Sequence, residues 1–223
     1  MVLSKTLLDQ CDELVNSGEY EKSISLIDSK LNSELDIESK SDLLALKGKM
    51  LSMQAYSTKP GEIRITENDP PKVSYNYQLI HQAITCFDKS IELKPDNMFA
   101  YENKALSFAR RGDFDDAIKC AKAALDINSE NITILVNLSK WYKDMSLFDE
   151  SILYADKVIQ KKNTVSEKAL IAAYTNKGIS QLNLRNRDYE NSLESALTLI
   201  SDPEMKKTYL QILEDARQEF TSK

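Results

Sequence analysis

The residue types that carry acid–base, nucleophilic or metal chemistry are few and scattered in this chain. It has one histidine, His81, and three cysteines, Cys11, Cys86 and Cys120. Histidine is the commonest general acid or base, and a zinc site wants closely spaced ligands such as C-x-x-C with histidines nearby. His81 has no second candidate ligand beside it and reads as a partly exposed structural histidine near a helix start. The carboxylate pairs Asp115–Asp116 and Glu19–Glu21 fall at expected helix starts, where negative charge complements the macrodipole, so they too read as structural. No phosphate-binding glycine loop, nucleophile elbow or metalloprotease motif is present. These observations predict a chain that is not an enzyme, with no metal site and no cofactor.

The positions of the cysteines point to something else, because Cys86 and Cys120 are 34 residues apart. Tyr101, Ala105, Phe108, Gly112, Asp113, Phe114, Ala117, Ala121 and Ala124 set out a spacing of large aromatic, small, aromatic, turn and three small residues. Moving forward by 34 lands on Leu135, Ser139, Tyr142, Ser146, Leu147, Phe148, Ser151, Ala155 and Val158. Moving back by 34 lands on Ala83, Phe87 and Ser90, with Pro95 closing that unit. Each such unit is a pair of helices too small to bury its own apolar face, so it must stack on its neighbours. Small residues at Ala105 and Ala117 let paired helices approach, and the aromatic at 108 fills the space that is left.

On these residues the chain resembles the tetratricopeptide repeat family. The resemblance implies an all-α, right-handed α-α superhelix of about five helix-turn-helix repeats, approximately 4–37, 41–97, 98–131, 132–165 and 169–202. A capping helix follows at 203–221, and the whole forms one solenoid domain over 1–223. Leu7, Cys11, Leu14, Gly18, Tyr20, Ser23 and Ile27 fit the first repeat. Leu44, Gly48 and Leu51 fit the second. Tyr174, Gly178 and Gln181, then Tyr189, Ser192 and Ala196, fit the fifth. Equivalent helices of stacked repeats lie on the order of 10 Å apart, too far for Cys86 and Cys120 to be bridged, so all three cysteines read as reduced packing residues.

Composition agrees with a solenoid: 42% hydrophobic residues, five glycines and five prolines in 223 residues. The net charge of −6 argues against a protein that holds nucleic acid through its phosphates. No apolar run reaches the length of a membrane span, and Met1 to Asp9 lack the pattern of a signal peptide. The expected compartment is the cytoplasm.

In this family the first helices of successive repeats line a concave groove that takes a peptide or a partner helix. Two residues before the small position of the first helix stand Asn103, Asn137 and Asn176, and the resemblance implies that they face this groove. An amide both donates and accepts, so it can pair with a peptide backbone whatever its side chains are. The same positions in the first two repeats hold Asp9 and Leu46, so such a ladder covers only the C-terminal part. The first-helix segments 41–54, 98–111, 134–146 and 169–184 carry net charges of +1, +2, +1 and +1. This basic inner layer, with Lys49, Arg110 and Lys140 as candidate lining residues, suits an acidic peptide or a free C-terminal carboxylate. Relatives that clamp the C-terminal carboxylate of heat-shock chaperones use a lysine, two asparagines, a lysine and an arginine. The matching positions read Glu102, Leu106, Asn137, Ala172 and Asn176, so only the central asparagine agrees and that docking mode is not expected. The functional expectation is a protein- or peptide-binding module. The alternatives are a homo-oligomeric, self-associating scaffold and, more remotely, a subunit that regulates an enzyme.

One segment breaks the register. Gly48 to Ala83 takes 35 residues where Ala105 to Ala117 takes 12, an insertion at 56–78. Pro60, Gly61, Pro70 and Pro71 exclude a continued helix there. Alternation of Ile63 with Ile65, and of Val73, Tyr75 and Tyr77, predicts a short β-hairpin, which would serve as a lid, a docking arm or a spectator loop. At the C-terminal end, Pro203 opens a segment with Met205, Tyr209, Ile212, Leu213, Ala216 and Phe220 on one face, the pattern of a solenoid cap.

Overall fold

The computed structural model describes residues 5–57 and 76–222. Among them are eleven helices and no strand. They group into two compact units, Met1–Ile127 and Asn128–Lys223.

The first unit holds α1 (Lys5–Asn16), α2 (Tyr20–Leu31), α3 (Ile37–Ser57), α4 (Tyr77–Leu93), α5 (Met98–Arg111) and α6 (Phe114–Ile127). Helices pair as α1 with α2, α3 with α4 and α5 with α6, and each pair packs on the next through α2–α3 and α4–α5. The first cluster of the core is Leu7, Cys11, Ile27, Leu43, Leu46 and Met50. A second joins Ala45, Leu51, Ala83, Phe87 and Ala100. The small residues of the 34-residue pattern are where helices touch: Ala83, Ala117, Ala121 and Ala124 have no exposed surface.

Helices α3 and α4 both run beyond the expected repeat, and their extra turns bury Ala55, Ile80 and Ile84 against one another. Asn76 closes this extension, its N–H donating to the Ala55 carbonyl (3.4 Å) while its side chain caps α4 at Leu79 N–H (3.2 Å). Tyr77, expected in a β-hairpin, is instead the first residue of α4, because the Asn76 cap starts the helix there. The rest of that hairpin, Ile63, Ile65, Val73 and Tyr75, lies outside the described residues.

The second unit holds α7 (Ile132–Asp144), α8 (Phe148–Ile159), α9 (Glu167–Asn183), α10 (Tyr189–Thr198) and α11 (Pro203–Ser222). Here α7 pairs with α8 and α9 with α10, α8 packs on α9, and α11 covers α10. The cap is built from Leu213 and Ala216 of α11 on Leu182, Tyr189 and Leu193, with Phe220 against the Tyr189 ring at 5.1 Å.

Turn chemistry repeats with the period. Asn97 and Asn131, 34 apart, cap α5 and α7 through Ala100 N–H and Ile134 N–H at 3.2 and 3.1 Å. The turn inside a repeat needs one left-handed residue. Gly18 and Gly112 supply it, as do Ser146 (φ 61°) and Arg185 (φ 56°), two positions where a side chain pays for that conformation.

Candidate functional site

Two lines of side chains connect neighbouring helices before any surface is left for a ligand. The first is a set of buried hydroxyl contacts. Ser41 and Ser90 exchange hydrogen bonds with each other's carbonyls at 2.9 and 2.8 Å, and Asn97 Nδ2 donates to both hydroxyls at 3.0 and 3.1 Å. Ser52 meets Ser107 between α3 and α5 (3.1 Å), and Ser180 meets Ser151 between α9 and α8 (2.9 Å).

The second is a recurring ion pair between a first helix and the second helix before it. Lys47 reaches Asp28 (2.5 Å), Lys104 reaches Asp88 (2.5 Å) and Lys177 reaches Asp156 (2.7 Å). Each lysine stands immediately before the small residue of its helix, Gly48, Ala105 or Gly178. These three lysines, counted toward a basic inner layer from sequence, are engaged with neighbouring helices. Lys140 and Lys143 both bind Asp144, at 2.5 and 2.6 Å. Burial acts to raise the Asp144 pKa, but the hydrogen bonds from Lys140 and Lys143 outweigh it and hold the carboxyl below its ordinary value.

The remaining candidates divide by unit. In the first unit, Lys49 lies over the Phe99 ring at 5.9 Å, a cation–π contact between α3 and α5. Arg110 Nη1 donates to Ser52 Oγ at 3.4 Å. Asn103 turns its amide back along its own helix, donating to the Phe99 carbonyl at 2.8 Å. In the second unit, Asn176 is buried, with 8% of its surface exposed, whereas Asn137 borders an open groove. The three asparagines are therefore in three different environments.

The groove at Asn137 measures about 510 Å³ and lies between α7 and α9, closed at one end by residues 164–166. Thr133, Val136 and Asn137 form one wall and Lys168, Ala169 and Ala172 the other. Neither Asn137 nor Lys168 has a side-chain partner among the described residues. The adjacent groove, between α9 and α11, measures about 590 Å³ and is far more apolar, with Ile171, Leu199, Ile200, Met205 and Tyr209 in its walls. Lys168 and Ala172 belong to both grooves.

Lys168 and Thr133 escaped the sequence reading, and Ala172 entered it only as a clamp position without its cation, yet a signal for all three exists. Residues four apart share a helix face, so stepping back by fours from Asn176 gives Ala172 and Lys168, and from Asn137 gives Thr133. Cys86 and Cys120 are free, as is Cys11, and burial pushes the thiols of Cys86 and Cys120 up from their ordinary pKa. Among the described residues no cluster of three histidine, cysteine or carboxylate side chains is placed to hold a metal. No described helix is long and apolar enough to cross a membrane.

Stacked antiparallel helix pairs with small residues at the contacts, and open grooves along first helices of the second unit, define a helical-repeat scaffold. Residues 100–131 match the tetratricopeptide repeat family. The chain is similar to the Hsp70-Hsp90 organizing protein of Triticum aestivum, 30% identical over 105 residues, or 44% of this chain and 18% of that protein. The chain thus spans less than a fifth of the length of this curated relative. Among solved structures it is similar to a tetratricopeptide repeat protein from Parabacteroides merdae (TM-score 0.70, 13% identity, 96% of this chain and 73% of that one). It is also similar to YrrB, described as a TPR protein with an unusual peptide-binding site (TM-score 0.61, 13% identity, 94% and 92%). MamA from Desulfovibrio magneticus RS-1 gives a TM-score of 0.60 at 14% identity over 87% of this chain and 92% of that one. At these identities the structural likeness carries the fold.

Proposed function

We propose that the chain is a non-enzymatic binding module that takes a peptide segment or partner helix against the first helices of its repeats. The observation that carries this reading is Asn137, whose amide borders an open groove with no side-chain partner among the described residues. Such an amide meets a peptide N–H and C=O at once. Asn103 and Asn176 take part in the second rank, one after release from its own helix and the other from a buried position. Lys49, Arg110 and Lys140 contribute cationic rims. The relative from Triticum aestivum bears the name of a chaperone organizer and YrrB is described as peptide-binding, which is in keeping with a protein partner for this chain. Glu102 and Ala172 stand where a chaperone-tail clamp has cations, so the partner we propose is a different one. The three free cysteines suit a reducing compartment, and we place its work in the cytoplasm.

The test is a pulldown with the wild-type chain and with Asn103, Asn137 and Asn176 all replaced by Ala, both checked for helicity. Loss of specific partners by the folded triple variant supports the reading; an unchanged partner set removes it. Light scattering adds the oligomeric state: a concentration-independent monomer fits a peptide-binding module, and a stable oligomer points to self-association.

A further inference from the structure

We infer that the second unit reads a two-point code in its ligand: a side-chain carboxylate taken by Lys168, and a large apolar side chain taken by the groove between α9 and α11. This rests on the peptide-binding reading and names the chemistry of the segment bound.

The carboxylate point follows from charge. Lys140, Lys143 and Lys177 in the same unit each hold a carboxylate, at 2.5, 2.6 and 2.7 Å. Lys168 holds none among the described residues, and it is the only charged side chain lining the groove between α7 and α9. Asn137 and Thr133 line that same groove and supply further hydrogen bonds to a bound carboxylate or the backbone next to it.

The apolar point follows from the neighbouring groove. Ile171, Leu199, Ile200, Met205 and Tyr209 present carbon, with Met205 at 47% exposure. Its two acidic residues, Glu167 and Asp202, discourage a second carboxylate there; Asp202 is committed to capping α11 through Met205 N–H at 2.7 Å. Lys168 lines both grooves, but only the first has no acidic residue in its lining, so the acid is assigned to the first groove and the neutral side chain to the second.

The spacing follows from the helices. Grooves on the two sides of α9 are separated by about one helix diameter, on the order of 10 Å. An extended chain covers that in about three residues at roughly 3.3 Å each. The ligand is thus an extended segment with a Glu or Asp and a Leu, Met or Phe about three positions apart.

Fluorescence anisotropy with C-terminally amidated, N-acetylated octapeptides tests this, the amide removing the terminal carboxylate. The set places Glu and Leu one, three or six positions apart in both orders, with a Glu→Gln partner for each. The three-position spacing is expected to bind best, and its Glu→Gln version to lose about three- to tenfold, the range for a partly exposed ion pair with a hydrogen bond. Lys168→Gln should erase that difference without weakening the Gln peptide. Met205→Gln, at an exposed position, should weaken both peptides alike. Peptides that bind with no preference for the carboxylate or the spacing, or a preference that survives Lys168→Gln, overturn the code and leave the binding module standing. Absence of binding by every peptide, together with an unchanged partner set for the asparagine triple variant, overturns both.

Discussion

A Cβ built on Gly48 would lie 2.6 Å from Cε1 of Phe87, a side chain with no exposed surface. The glycine is therefore the space into which the second helix of that repeat places its ring. Gly178 has the same relation to Leu193, whose Cγ would be 2.7 Å away, with the Tyr189 carbonyl at 3.2 Å. Alanine in a helix normally gains about 1 kcal/mol over glycine. Here overpacking, which costs about 1–3 kcal/mol, reverses the sign. Gly48→Ala should lower unfolding free energy in urea, and Phe87→Leu should recover part of the loss in the double variant. An additive pair of effects would contradict the contact.

Two hydroxyls make the opposite prediction. Ser23 Oγ and Ser139 Oγ are buried with no hydrogen-bond partner among the described residues. Both occupy small positions of the repeat, where alanine has the right volume and no polar atom to bury. Ser139→Ala and Ser23→Ala should each stabilise the chain by about 1 kcal/mol, the lower part of the cost of an unsatisfied buried group. Urea midpoints that fall would contradict this.

Asn97 joins a cap to a buried network, since the same side chain holds Ala100 N–H, Ser41 and Ser90. Asn97→Ala removes the cap and the Nδ2 hydrogen bonds to two buried hydroxyls, which keep each other's carbonyls as acceptors, so it should cost about 2 kcal/mol. Asn131→Ala removes a cap whose acceptor serves Ile134 N–H and should cost about 1 kcal/mol. Comparison of the two by urea unfolding isolates the network.

Much of this was legible in the sequence because packing of small residues against large ones is periodic. Ala105, Ala117 and Phe87 were assigned to helix contacts from spacing, and all three are buried. The left-handed residues Ser146 and Arg185 were not legible as such, since only glycine announces that conformation by its type. Nor were the partners of Lys47, Lys104 and Lys177, because each aspartate lies on the preceding helix at its own separation, 19, 16 and 21 residues away. Asn103 and Asn176 share a register position with Asn137 but not its surroundings. A repeat fixes the backbone site of a side chain, while its hydrogen bonds depend on the neighbours.

Burial raises the thiol pKa of Cys86 and Cys120. A raised value leaves less thiolate at any pH below it, so both should react with a disulfide reagent at pH 8 more slowly than free cysteine. Urea should release all three thiols at the free rate. A thiol that reacts at the free rate in the folded protein would contradict their role as packing residues.

The most direct measurement follows the side-chain amide of Asn137 by NMR as the tightest-binding captured or synthetic peptide is added. Binding against the inner helices predicts that this amide shifts in a saturable way along with Lys168 and Ala172, while Leu153, exposed on α8, stays in place. Saturable binding that moves α8 and leaves Asn137, Lys168 and Ala172 unmoved would contradict it.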